Sequence, residues 1–231
     1  MSSLIKISDL EKRYFNKKAL DKINLEIDSG KIIGLLGPNG SGKTTLLKII
    51  AGISRQSNGQ ISIDGVKPGI YTKSIVSYLP DKDYLFKWMK IKDAINFFND
   101  FYKDFDRDKA YEFLKFMELD ENSNIKSLSK GMSEKLSLTL TLSRKAKLYI
   151  LDEPLGGVDP TTREKILNAI LENYSKESSM IITTHLISDI ERLFDSVIFI
   201  SNGKIILNGD AEELRNERHM SIDGLYREVF K

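Results

Sequence analysis

Lys31-Ile32-Ile33-Gly34-Leu35-Leu36-Gly37-Pro38-Asn39-Gly40-Ser41-Gly42-Lys43-Thr44 decides the fold. The apolar run ahead of Gly37 reads as a buried strand, and Thr44-Thr45-Leu46-Leu47-Lys48-Ile49-Ile50 behind it reads as a helix. Between them stands G-x-x-x-x-G-K-T with every required position filled. Small residues let backbone N–H groups turn inward around a β-phosphate, and the positive end of the helix dipole faces the same anion. Lys43 then reaches the β- and γ-phosphates, and the Thr44 hydroxyl suits the Mg²⁺ that a triphosphate carries.

Outward from this loop, alternation over 4–7 and 23–27 predicts half-buried strands, and 60–64 and 74–79 predict two more, the last closed by Pro80. From about Lys92 the texture turns helical. Ala94, Ile95, Phe97, Phe98, Phe101, Tyr102 and Phe105 share a broad apolar face, followed by Tyr111, Phe113, Leu114, Phe116 and Met117. One domain over 1–231 is expected, with 1–85 and 146–231 as its β-subdomain and core and 86–145 as an inserted helical subdomain. Stretches 148–151, 180–183 and 197–200 read as buried strands. An amphipathic helix on Ile166, Leu167, Ile170, Leu171 and Tyr174 and a second helix over 186–194 separate them. Asn202-Gly203 predicts a hairpin into 205–207, and two short helices close the chain. Strands alternating with helices mean a mainly parallel sheet.

The bulk properties exclude several classes of function. The 231 residues carry a formal net charge of +2, so no broad field draws in nucleic acid or an anionic membrane, and no nucleic acid is expected as a partner. Without cysteine there is no disulfide and no thiolate metal site, and two histidines, His185 and His219, cannot form a histidine cluster. Met1-Ser2-Ser3 runs straight into a strand-like stretch without the basic start and apolar core of a secretory leader. No apolar run approaches the roughly 18 residues that span a bilayer as a helix, so a cytoplasmic location is expected.

Hydrolysis of a triphosphate needs a second acidic station and a base for water. Leu148-Tyr149-Ile150-Leu151-Asp152-Glu153 offers both where a buried parallel strand ends. Asp152 is the candidate metal ligand, and Glu153 the candidate for polarising the attacking water. Leu128-Ser129-Lys130-Gly131-Met132 opens a helix and reads as an anion site or as an ordinary serine N-cap. Tyr14 offers a flat face to a base, or packs at a sheet edge, with Phe15 as a second aromatic beside it. His185, behind a buried strand, is placed to donate to a γ-phosphate or to cap the chain.

The phosphate loop, Leu128 to Met132, the Asp152-Glu153 strand end, Gly157-Val158-Asp159 and Thr183-Thr184-His185 occur in an order that resembles the nucleotide-binding subunit of ATP-binding cassette (ABC) transporters. The resemblance spans about 4–215. It implies an α/β fold: a P-loop NTPase core with a mainly parallel sheet, an N-terminal antiparallel β subdomain and an inserted α-helical subdomain. It also implies ATP and Mg²⁺ as cofactors. Carried over by position, 37–45 (Gly37, Pro38, Asn39, Gly40, Ser41, Gly42, Lys43, Thr44 and Thr45) is the Walker A loop and Tyr14 the adenine-stacking aromatic. Asp81 takes the Q-loop position as a third metal contact beside Thr44 and Asp152. Ser129, Lys130 and Gly131 fall in the signature, Asp159 is the D-loop acid, Glu153 the catalytic glutamate and His185 the switch histidine.

Two places depart from that pattern: Asp81 stands where most members have glutamine, and the signature reads Leu128-Ser129-Lys130-Gly131-Met132 where Leu-Ser-Gly-Gly-Gln is usual. A carboxylate at 81 binds a cation more strongly than an amide but repels phosphate unless the metal screens it. Such variants resemble ABC-2-like exporter ATPases. The family's complete site is shared between two subunits, so the resemblance implies a homodimer or a heterodimer with a related ATPase. It further implies a separate polytopic permease that holds the chain against the inner face of the cell membrane. Leu85, Phe86, Trp88 and Met89 are candidates for the docking face or for core packing. Two functions stay open at this point: an ATPase driving transport, most simply export, and a soluble ABC ATPase acting in assembly or regulation.

Overall fold

Long strands β1 (Ser3–Tyr14) and β2 (Lys17–Asp28) lead into β3 (Ile32–Leu36), α1 (Lys43–Ile50), β4 (Asn58–Ile63), α2 (Ile70–Ile75) and β5 (Val76–Leu79). Then come α3 (Ile91–Phe101), α4 (Arg107–Phe116) and α5 (Lys130–Leu142). The rest alternates: β6 (Leu148–Asp152), α6 (Pro160–Asn173), β7 (Ser179–Thr183), α7 (Ile187–Ile190), β8 (Ser196–Ser201), β9 (Lys204–Asp210), α8 (Ala211–Arg218) and α9 (Ile222–Val229). This computed structural model describes residues 3–82, 84–156 and 158–231. Met1, Ser2, Asp83 and Gly157, the last quoted above as part of a motif, lie outside the described residues.

Two sheets result. β2-β1-β4 is antiparallel, and β5-β6-β7-β3-β8-β9 is parallel except for the hairpin partner β9. Every residue of β3, β6 and β7 is buried, which is why these strands read as unbroken apolar runs: a parallel strand is covered on both faces. One core cluster packs α1 and sheet β2-β1-β4 against one face, through Leu47, Ile50, Ile63 and Ile150. The other packs α3–α6 and α9 on the opposite face, through Ile95, Leu114, Leu140, Ile170 and Leu225.

Three expectations are corrected. Ser74 and Ile75 belong to α2 and not to the following strand, whose first residue is Val76. That helix escaped notice because only Thr72 in it is buried, so it has no apolar period to read. β1 runs on through Glu11-Lys12-Arg13 to Tyr14; register irregularities, with left-handed Asp9 (φ 47°) in β1 and Lys22 (φ 50°) in its partner β2, break the alternation. The helix expected over 186–194 is the four-residue α7 followed by a 3₁₀ turn at Glu191–Leu193.

Arg144 joins the helical insertion to the sheet edge. Only 3% exposed, it donates from Nη1 to Val76 O (2.7 Å) and from Nη2 to Ser74 O (2.9 Å), pairs with Asp104 (3.0 Å) and lies over the Tyr102 ring (4.0 Å). A buried guanidinium is tolerated because nearly every N–H meets an acceptor.

Candidate functional site

At the end of β3 two positions of the loop leave no room for a side chain. A Cβ on Gly37 would lie 2.1 Å from Ile200 O, and one on Gly42, at φ 113°, 2.7 Å from Ala19 O. Glycine is required at both for these reasons. Gly42 is also the N-cap of α1 and brings no side-chain cap, so the first-turn amides are left for an external acceptor. Lys43 is buried and donates from Nζ to Gly37 O (2.7 Å) and Pro38 O (3.2 Å). Burial lowers its pKa, and the charges of Glu153 and Asp152 work against that shift. Ser41 Oγ is buried with no partner. An orphaned hydroxyl beside an ammonium and a bare helix N-terminus is a donor set suited to phosphate oxygens.

The second station assembles where β6 and β7 end side by side, with Asp152 in register with Thr183. Asp152, 2% exposed, accepts from Thr183 Oγ1 at Oδ1 (2.7 Å) and meets Tyr78 OH at Oδ2 (3.5 Å). Burial, with the Asp152 charge second, pushes the Tyr78 hydroxyl well above its ordinary pKa. Glu153 is left-handed (φ 57°), a conformation that costs about 1–3 kcal/mol for a non-glycine residue. The turn holds it there: Glu153 N donates to Thr183 O (3.1 Å) and Thr183 Oγ1 (3.0 Å), and Gly156 N donates to Glu153 O (3.0 Å). The consequence is a carboxylate swung back toward β7. His185 N donates to Glu153 Oε2 (3.2 Å), and His185 Nε2 lies 3.1 Å from Oε1 without hydrogen-bond alignment, so Oε1 stays buried and unpartnered. Burial raises the Glu153 pKa, with His185 opposing. A carboxylate raised in this way is a stronger base for water than an exposed one.

One cleft of about 530 Å³ gathers these groups, within the range of nucleotide-sized pockets. Its lining holds Tyr14, Asn39, Gly40, Ser41, Gly42, Lys43, Thr44, Thr45, Asp81, Asp152, Glu153 and His185. Gly37 and Pro38 contribute through the carbonyls that hold Lys43. Tyr14, at the tip of β1 and 45% exposed, carries the Lys12 ammonium 4.8 Å from its ring centroid, while Phe15 is fully exposed at the turn. Lys17 and Ala19 also line the cleft and were missed, as was Thr183 behind Asp152. Only Thr183 had a signal, its place in Thr183-Thr184-His185. Among the described residues no group of three or more His, Asp or Glu is placed to hold a metal unaided. One hydroxyl and one buried carboxylate, with Asp81 exposed nearby, instead fit Mg²⁺ arriving on phosphates, since that ion needs few protein ligands.

The remaining site residues are elsewhere. Ser129 is the N-cap of α5, accepting from Met132 N (3.3 Å), and Lys130 pairs loosely with Glu134 (3.7 Å). Both line a smaller cavity of about 250 Å³ that shares Asp81, Asp152 and Glu153 with the cleft but none of the phosphate loop, and Gly131 lines neither space. Asp159 is the N-cap of α6, accepting from Thr162 N (3.0 Å) and Thr162 Oγ1 (2.7 Å), and these bonds lower its pKa. The docking candidates split. Leu85 and Met89 are core, whereas Phe86 (49%) and Trp88 (76%) are exposed with ring centroids 6.1 Å apart. Beside them lies a groove of about 560 Å³ lined by Lys48, Ile53, Lys73, Tyr78, Phe98 and Tyr102, among others. No helix among the described residues is long and apolar enough to cross a membrane.

Known proteins share this arrangement. The family model described as "ABC transporter" matches residues 20–156. The chain is 31% identical to the probable sulfate/thiosulfate import ATP-binding protein CysA of Chlorella vulgaris, over 91% of this chain and 92% of that protein. It is also 31% identical to the SkfA peptide export ATP-binding protein SkfE of Bacillus subtilis, over 88% and 87%. A solved ATP-binding subunit of an ABC transporter superposes with a TM-score of 0.90 at 26% identity, covering 99% of this chain and 100% of that one.

Proposed function

The chain belongs to the ABC transporter family as an ATP-binding, ATP-hydrolysing subunit, and from that premise we propose that a single copy supplies only half of each working site. One observation carries the reading: the cleft holds Lys43, Asp152, Glu153 and His185, while Ser129, Gly131 and Asp159 are absent from its lining. Two copies, or this chain and a related ATPase, would face each other so that Ser129 and Gly131 of one meet the γ-phosphate held by the other.

Each residue then has a role in its own chemistry. Tyr14 stacks on adenine, the loop from Gly37 to Thr45 wraps the phosphates, and Lys43 leaves its two carbonyls to bind them. Glu153 takes a proton from the attacking water, and His185 donates to the γ-phosphate while keeping Glu153 turned inward. Thr44 and Asp152, with Asp81 adjoining, would hold the Mg²⁺ that arrives on the phosphates, which when bound would offset the charge that builds up in the transfer. Asp159 acts at the interface from the head of α6.

Replacing Ser129 with glutamate tests the shared site. A fluorescent ATP analogue should bind the isolated chain as before, while turnover falls by about tenfold or more through repulsion across the interface. Undiminished turnover would count against a shared site.

In this reading the permease docks at the groove and the exposed Phe86–Trp88 pair, and the segment 86–145 transmits movement as a helical subdomain. The chain would thereby sit on the cytoplasmic face of the membrane. Export is the direction proposed, on the Asp81 and Lys130 departures; the relatives' names include both directions. Since Trp88 is exposed, Trp88→Ala should release the chain from native membranes with its melting temperature within about 2 °C of the parent, as befits a surface substitution. A large drop in melting temperature would instead make Trp88 a packing residue.

A further inference from the structure

Tyr78 lines one cavity and reaches a residue that lines another. Its ring forms part of the groove with Ile53, Lys73 and Tyr102, and its hydroxyl lies 3.5 Å from Oδ2 of Asp152, which lines the nucleotide cleft. Strand order explains the reach. β5 is the outer strand of its sheet and pairs only with β6, in a register that sets Tyr78 beside Ile150. Side chains two residues apart on a strand share a face, so Asp152 and Ile150 project to the same side of β6. Tyr78 packs against the core cluster on the face covered by α1 and so runs beneath the helix that opens at Lys43. Its neighbour Ser77 faces the other way, donating to Thr141 O of α5 (2.8 Å). Adjacent residues of one edge strand thus tie the helical insertion and the acidic station together.

We infer that Tyr78 is a positioning residue that carries the occupancy of the groove to the carboxylate of Asp152. Thr183 fixes Oδ1 at 2.7 Å, so the orientation of the carboxylate depends on what meets Oδ2. The phenol does so at a long distance, where a small shift of the ring makes or breaks the contact. A segment seated in the groove presses the ring inward, shortens that bond and turns Oδ2 to its place in the metal site. The inference rests on Asp152 serving Mg²⁺ and on the groove receiving the membrane partner. It adds a direct physical path between the two.

The chain's lack of cysteine makes the test clean. Ile53, 60% exposed on the groove, is replaced by cysteine and coupled to a bulky aromatic maleimide as a stand-in occupant. Calorimetry then gives the affinity of the full chain for ADP with and without Mg²⁺, a binding readout independent of turnover. With Tyr78 present, labelling should change the Mg²⁺-dependent part of that affinity by about threefold, the scale of one hydrogen bond. In Tyr78→Phe, which keeps the ring and drops the hydroxyl, labelling should change nothing, and affinity without Mg²⁺ should equal that of the parent. A label effect equal in both chains, or absent from both, overturns the relay. Should Asp152→Asn keep the parent's Mg²⁺ dependence, the metal assignment falls and takes the relay with it, a result distinguishable from failure of the relay alone.

Discussion

The phosphate-loop half of the site and the signature half differ in how complete they are. Lys43, the adjacent pair Asp152 and Glu153, and His185 come from three separate stretches of sequence and meet in one cleft, where buried Ser41 Oγ and Glu153 Oε1 still lack hydrogen-bond partners. Ser129 and Asp159 are satisfied within their own helices, as N-caps of α5 and α6. Ser41 Oγ and Glu153 Oε1 therefore face the nucleotide cleft with hydrogen-bonding capacity to spare, whereas Ser129 and Asp159 cap their own helices outside its lining; the other two such buried atoms among the described residues, Glu134 Oε2 and Thr139 Oγ1, belong to α5.

The largest effect that tests this contrast is expected at Glu153. Glu153→Gln keeps the shape of the side chain and removes the base, so turnover should fall by about 10²- to 10⁴-fold with ATP affinity retained. Normal turnover, measured by phosphate release, would remove Glu153 from the chemistry and make its left-handed backbone unexplained strain. A smaller effect is expected on the other half. Asp159→Ala deletes a helix cap and should cost about 1 kcal/mol in denaturant unfolding, without changing nucleotide affinity in the isolated chain. A weakened affinity would mean that Asp159 reaches the cleft of its own chain, and the contrast would blur.

How far the sequence disclosed this depended on whether a feature is local. The phosphate loop was legible because its chemistry is backbone geometry enforced by Gly37 and Gly42, and β6 because full burial leaves an unbroken apolar run. Ser129 was ambiguous between capping and anion binding for a physical reason: the same hydroxyl at a helix start performs both, and the structure shows it as the cap of α5. Residues acting through tertiary contact left little trace. Tyr78 reads as an ordinary strand residue until Asp152 appears beneath it, Lys17 as a turn lysine, and α2 as loop because almost none of it is buried. Phe86 and Met89, three positions apart in one aromatic stretch, went to opposite environments, surface and core, which composition does not foretell.

Sedimentation of Glu153→Gln at saturating ATP and Mg²⁺ addresses the division into halves most directly, since this variant binds nucleotide without consuming it. The prediction is a species of twice the chain mass, formed with itself or with a co-purified related ATPase and dissolved when ATP is replaced by ADP. A chain that stays at its single mass of 26.3 kDa in ATP, with every co-purified subunit present, would contradict the account.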